Sequence, residues 1–179
     1  VKGAIEFYQL PQKNSEGVVP PDRYGLGIDP YDDDQSGTMS LGSVHVMDFW
    51  TDRLAAEYTG RPMFASDFYE IVRMLCLFYN AKGMYEQNLK GIFGHFSYKN
   101  CTHLLADTPE YLKDKQLITS IGFGNKSKGI RATKPIIAYG LRLIRDWLLK
   151  PVTMIEKDDQ GNEYEVQVPN LRFIRNRES

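Results

Sequence analysis

Residues 24–29, Tyr-Gly-Leu-Gly-Ile-Asp, constrain this chain more than any other stretch. Tyr24, Leu26 and Ile28 alternate with Gly25, Gly27 and Asp29, the period of two that sends successive side chains to opposite faces of a strand. One face is built to pack. The other is bare glycine ending in a carboxylate, with Pro30 stopping the strand behind it. Glycine inside a strand weakens it and often marks a place where a ligand approaches the backbone closely. The stretch therefore predicts a half-packed strand whose bare face and terminal Asp29 can receive a metal ion or a phosphate.

The rest of the chain supplies a sheet for that strand to join. Residues 2–10 read as a strand followed by a polar, proline-containing linker. Residues 40–50 and 54–59 continue after 24–29 as an antiparallel meander. Asp67 is placed to cap a helix running to about Tyr79, with Phe68, Ile71, Val72, Leu75 and Tyr79 on one stripe and Gly83 as a left-handed stop. A short strand over 84–87, a helix over 88–96 and a strand over 101–105 follow. Residues 108–131 show no period, are rich in glycine and bases, and read as surface loop. Thr133, with Pro135 in the first turn, opens a helix to Leu149 on the stripe Ile137, Leu141, Ile144 and Leu148. Residues 152–156 and 163–168 form a hairpin. A meander followed by a helical crossover into a parallel strand is an α/β fold with a mixed sheet. At 179 residues and 42% hydrophobic content, one ordered domain is expected.

Charge is segregated although the net value is only −1. Acids dominate residues 22–70, and bases dominate 121–150, where Asp146 is the lone acid. Such a chain suits a site that binds cations on one side and a polyanion on the other. Cys76 and Cys101 lack metal-ligand spacing, which argues against zinc and a disulfide scaffold and fits a reducing, intracellular compartment. No run is apolar enough for a membrane span, and no signal-peptide pattern opens the chain; Val1 marks the sequence as a fragment or trimmed form. There is no GxxxxGK[ST] loop, no third glycine to make 25–29 a dinucleotide fingerprint, and no GxSxG elbow. His45, His95 and His103 have no ligand spacing.

That leaves the carboxylates. Glu86 ends a short apolar strand one helical crossover after Asp29. If the two strands are parallel neighbours, both acids converge at the sheet rim, and hard oxygen ligands from separate strands suit Mg2+ or Mn2+. The same residues admit a plainer reading, with Asp29 capping a turn before Pro30 and Glu86 a surface acid. Within Asp32-Asp33-Asp34, Asp34 is the candidate to support a metal without binding it directly. Lys126, Lys128, Arg131 and Lys134, in the basic stretch, are candidates to neutralise the phosphates of a polyanion without reading sequence.

Three motifs in order, Tyr24-Gly-Leu-Gly-Ile-Asp-Pro30, Tyr85-Glu-Gln-Asn88, and Gly129-Ile-Arg-Ala-Thr-Lys134 opening a helix, resemble the nuclease domain of tailed-phage terminase large subunits. The resemblance spans residues 24–151. It implies a ribonuclease H-like mixed sheet flanked by helices with a C-terminal β-hairpin, and two of three metal-binding acids at Asp29 and Glu86. It implies an endonuclease that cuts concatemeric double-stranded DNA with two divalent ions, Asp29 bridging them and Glu86 holding one. The family's third acid follows the hairpin, and nothing in this chain matches its context, so weak activity of the fragment is expected. On this reading 1–21 is a strand and linker from an absent ATPase domain, 22–150 the core, and 151–179 the hairpin and a shortened end. The implied partners are that N-terminal ATPase, the portal and the small terminase subunit, in the cytoplasm of a bacterial host. A silent DNA- or partner-docking module is the alternative, and an actin-like ATPase fragment a more distant one.

Overall fold

A computed structural model describes residues 3–31, 40–88, 91–114 and 127–173. Asp34 and Lys126 lie outside these residues. The chain forms two compact units, Val1–Ala132 and Thr133–Ser179.

The first unit is built on a five-stranded sheet of β1 (Ile5–Phe7), β2 (Tyr24–Asp29), β3 (Gly42–Asp48), β4 (Arg53–Gly60) and β5 (Lys82–Tyr85), in the order β1-β4-β3-β2-β5. β2, β3 and β4 run antiparallel, β1 adds to the β4 edge, and β5 lies parallel to β2. Three antiparallel strands with a parallel strand beside the first make the ribonuclease H-like mixed sheet expected from the sequence. The crossover into β5 is α1 (Ala65–Tyr79), and α2 (Gly91–Tyr98) packs on α1 through buried Ile92 and Phe96.

The alternation of β2 decides where the core lies. Tyr24, Leu26 and Ile28 are buried in one cluster with Val44, Val46 and Tyr58 and the α1 stripe Phe68, Val72, Leu75, Cys76 and Tyr79. Rings interlock across the layer, Tyr24 against Tyr79 at 5.0 Å and Tyr58 against Phe68 at 6.0 Å, both within the range where aromatic pairs gain from their quadrupoles. Burial pushes the Cys76 thiol up to about 12, with Cys101 adding to the effect, so it packs as an unreactive apolar group.

At the β2 start, a strap of residues 8–12 crosses the sheet end. Gln9 donates its side-chain amide to Asp48 at 3.0 Å, the Tyr79 hydroxyl donates to the Gln9 carbonyl at 2.7 Å, and the Gln12 N–H donates to the Tyr24 hydroxyl at 2.9 Å. Asp48 is fully buried and also pairs with Arg23 at 2.8 Å. Burial pushes its carboxyl up, but Arg23, the Trp50 N–H and Gln9 together hold it below the usual carboxylate range.

Several boundaries differ from the sequence reading. Of the expected strand over 2–10, the described residues 3–10 form only the three-residue β1, because the strap then leaves the sheet edge. α1 begins at Ala65, placing Asp67 inside its first turn, and ends at Asn80, whose φ of 48° puts it in the left-handed region. Gly83 is therefore no cap. It lies inside β5, where a Cβ would strike Ile28 Cδ1. Residues 101–105 are a 3₁₀ turn, Thr102–Leu104, because Leu104 N–H bonds back to the Cys101 carbonyl; Leu105 alone bridges Gly83. The 108–131 stretch contains a short helix, α3 (Tyr111–Asp114), and returns to the sheet at 128–130.

In the second unit, α4 (Lys134–Leu149) starts behind Thr133 with proline in its first turn, and β6 (Pro151–Lys157) pairs antiparallel with β7 (Glu163–Pro169) as the expected hairpin. Asp158 closes the hairpin turn by accepting N–H bonds from Gln160 and Asn162, both at 2.9 Å. Among the described residues no helix is long and apolar enough to cross a membrane.

Candidate metal centre

The β2–β5 register runs Gly25 with Lys82, Leu26 with Gly83, Gly27 with Met84 and Ile28 with Tyr85. The next step along both strands is Asp29 and Glu86. Residues opposite one another share a face, so Asp29 and Glu86 project from the same side as Gly25 and Gly27, away from the core. Adjacent strands lie about 4.8 Å apart, so Asp29 and Glu86 follow directly on backbone positions that are neighbours across the sheet. Parallel strands bring both acids to the same, carboxyl-terminal, edge of the sheet. Asp29 closes β2 exposed to solvent; Glu86 stands one residue beyond β5 and is half-buried.

β3 continues this face. Ser43 sits opposite Asp29 and His45 opposite Gly27. A groove of about 610 Å³ runs along it over Gly25 and Gly27, walled by Met47, Phe49, Met84 and Leu104 with Lys82 and His103 on the lining. The groove stops at Gly27 and Met84, one step short of the acids. A Cβ at Gly27 would meet nothing within 4 Å, but one at Gly25 would strike the Phe49 ring, so the strip predicted to be bare is open over Gly27 alone and roofed by Phe49 over Gly25.

The residues after Glu86 have distinct jobs. Asn88, on the same side two residues on, donates its amide to Glu86 Oε1 at 2.5 Å and so orients the carboxylate. Gln87 points the other way. Its amide nitrogen donates to Ser127 Oγ and, at 2.7 Å, to the Lys128 carbonyl. These bonds hold residues 127–130 beside the end of β5, where Ile130 N–H donates to the Tyr85 carbonyl at 2.8 Å and Gln87 N–H donates to the Ile130 carbonyl at 2.9 Å. Gly129 makes the approach feasible: its φ is +77°, and a Cβ there would lie 2.7 Å from the Tyr85 carbonyl oxygen. The sequence motif at 85–88 contained these residues, yet nothing in it revealed the roles of Gln87 and Asn88. For Asn88 the two-residue offset from Glu86 was the available signal; for Gln87, whose partners lie 40 and 41 residues away, there was none.

The basic candidates are not equivalent. Lys128 forms an ion pair with Asp107 at 2.8 Å and donates to the Leu105 carbonyl at 2.9 Å, which ties it to the fold. Arg131 is exposed one residue beyond Ile130, in the first unit. Lys134 is exposed at the start of α4, in the second unit.

The donor set of Asp29 and Glu86 is a pair of carboxylates, one open to solvent and one with a single oxygen already held by an amide. That set fits a hard divalent ion such as Mg2+ or Mn2+, which takes one or two protein carboxylates and leaves other positions to water and phosphate. Among the described residues no group of three or more histidine, cysteine, aspartate or glutamate side chains is arranged to hold a metal.

No protein-family model matches the chain, and no curated protein matches it. Among solved structures, the chain is similar to the large terminase nuclease from thermophilic phage G20c, with 13% identity and a TM-score of 0.43 over 94% of this chain and 80% of that one.

Proposed function

We propose that this chain is a metal-dependent endonuclease acting on double-stranded DNA, the nuclease part of a viral DNA-packaging terminase. The observation that carries the reading is that β2 and β5 run parallel and in register up to Ile28 and Tyr85, so that Asp29 and Glu86 follow next in the chain at the same, carboxyl-terminal edge, beyond the open space over Gly27. The motif order from Tyr24 to Lys134 supports it. Asp29 and Glu86 would hold Mg2+ or Mn2+, which when bound supplies positive charge at the scissile phosphate and makes a water more acidic. Asn88 keeps the Glu86 carboxylate in one orientation, and the open space over Gly27 leaves room for a phosphate backbone to come down to the strand. Arg131 and Lys134 neutralise phosphates, so duplex binding should weaken steeply with salt. Lys128 adds less to that binding because Asp107 already neutralises it. In a full packaging machine the chain would work with an ATPase domain, a portal and a small terminase subunit.

The test is plasmid cleavage by the purified chain in Mn2+ and in Mg2+, with Glu86→Gln as the control. Metal-dependent nicking that Glu86→Gln removes supports the nuclease. A second reading, a silent DNA-docking module, is favoured by the two-carboxylate donor set among the described residues. Duplex binding with neither cleavage nor Mn2+ binding would establish it instead.

A further inference from the structure

We propose that Gln87 is a positioning residue for the metal centre, acting through Glu86; this rests on the reading of Asp29 and Glu86 as metal ligands. Glu86 lies outside the regular β2–β5 ladder, so the β-sheet alone does not fix it. Its backbone is held by the two peptide groups that flank it, the Tyr85 carbonyl and the Gln87 N–H, and both bond to Ile130. The position of Glu86 is therefore set by the position of residues 127–130. That segment in turn is fastened by polar side chains. The Gln87 amide nitrogen is nearest to Ser127 Oγ and the Lys128 carbonyl, with Thr108 Oγ1 at 3.3 Å and the Gly129 carbonyl at 3.5 Å as further acceptors, and the Thr108 hydroxyl donates to the Gly129 carbonyl at 2.6 Å. Gln87 is half-buried, and an amide is the group that can reach a hydroxyl and a carbonyl together as a donor. Residues one step removed from a metal ligand commonly change metal affinity 10–100-fold when removed, by about that order here if the latch sets Glu86. The same latch places Arg131, one residue past Ile130, at a fixed separation from Glu86, so one side chain sets the spacing between a metal ligand and a phosphate-binding cation.

The experiment is calorimetric titration of Mn2+ alone into the 179-residue chain and its variants, with melting temperature measured without metal. Gln87→Leu is expected to weaken Mn2+ binding about tenfold. Ser127→Ala, which removes one acceptor from the same amide and carries the test should Gln87→Leu not fold, is expected to weaken it severalfold. Because both act through one latch, the double variant should bind no more weakly than Gln87→Leu alone. Wild-type Mn2+ affinity in a folded Gln87→Leu or Ser127→Ala, or losses that multiply in the double variant, overturns the proposal even if the melting temperature falls. The metal reading has its own control in the same titration. If the wild type binds no Mn2+, or Asp29→Asn binds it equally well, the ligand assignment fails and the role of Gln87 falls with it; a failure confined to Gln87 and Ser127 leaves the ligands standing.

Discussion

The two faces of β2 are made by the same six residues and obey opposite rules. Toward α1, Tyr24, Leu26 and Ile28 are buried among aromatic rings, and even the neighbouring Gly83 has no room for a methyl group. On the other side, Gly27 has open space above it and Asp29 is solvated. A period of two thus separates stability from chemistry within one strand: a change of one residue in register moves a substitution from the first account to the second. The comparison is useful because each face makes its own forecast.

The largest effect belongs to the open face. Asp29→Asn should abolish Mn2+-dependent cleavage while leaving the metal-free melting temperature unchanged or slightly higher, since its charge supports no packing and an amide lacks the formal charge that organises divalent ions. Wild-type cutting rates in this variant would break the separation from the chemical side. Next comes the packed face: Phe68→Ala removes a fully buried ring and should cost about 3–5 kcal/mol in denaturant unfolding. A loss under 1 kcal/mol would show that the core does not sit where α1 meets β2 to β4.

Two alanine substitutions sharpen the contrast at smaller scale. Gly83→Ala forces a methyl group into Ile28 and should destabilise by about 1–3 kcal/mol. Gly27→Ala, on the open side of the same register, should be neutral or gain about 0.4–1 kcal/mol by restricting the unfolded chain. Equal effects from the two would mean the faces are not distinct. Smallest is a pH effect behind the packed face. Arg73, hydrogen-bonded to Glu70, together with His95, holds the Glu70 carboxyl down to about 2 from an ordinary value of 4.5. A depressed carboxyl contributes its full stability above the unfolded value, and loses it as pH falls from about 4.5 toward 2. Melting temperature measured across that window should fall less in Glu70→Gln than in the wild type.

The strand bearing Asp29 was legible because its signal is local: three apolar residues at period two, bounded by Pro30. The α1 stripe and the hairpin were legible for the same reason. What escaped depends on distant partners. Gly83 read as a helix stop because Asn80 and Gly83 both favour left-handed backbone, and only the contact with Ile28 decides between them. Residues 101–105 have strand composition, but local bonds from Leu104 and Leu105 turn them into a 3₁₀ segment. Residues 127–130 carry no period, since the side chains that seat them, Gln87 and Thr108, are 19 to 41 residues away. At the candidate site, the acids were visible as types at strand ends; the latch that seats one of them was not.

The strap at residues 8–12 has a mechanical consequence. β1 is a three-residue strand on the sheet edge, and a tension applied through the chain preceding it would unzip that pairing one bond at a time. Unzipping then arrives at Gln9 and Gln12, where bonds to Asp48, Tyr79 and Tyr24 must yield together, because they are loaded side by side. Asp48 and Tyr24 pair at the start of β2, the end of the strand away from Asp29. Upstream tension thus enters the sheet at Ile5, level with Tyr58, Val44 and Ile28 near the acids, and is last resisted at the other end, where the strap meets Asp48 and Tyr24.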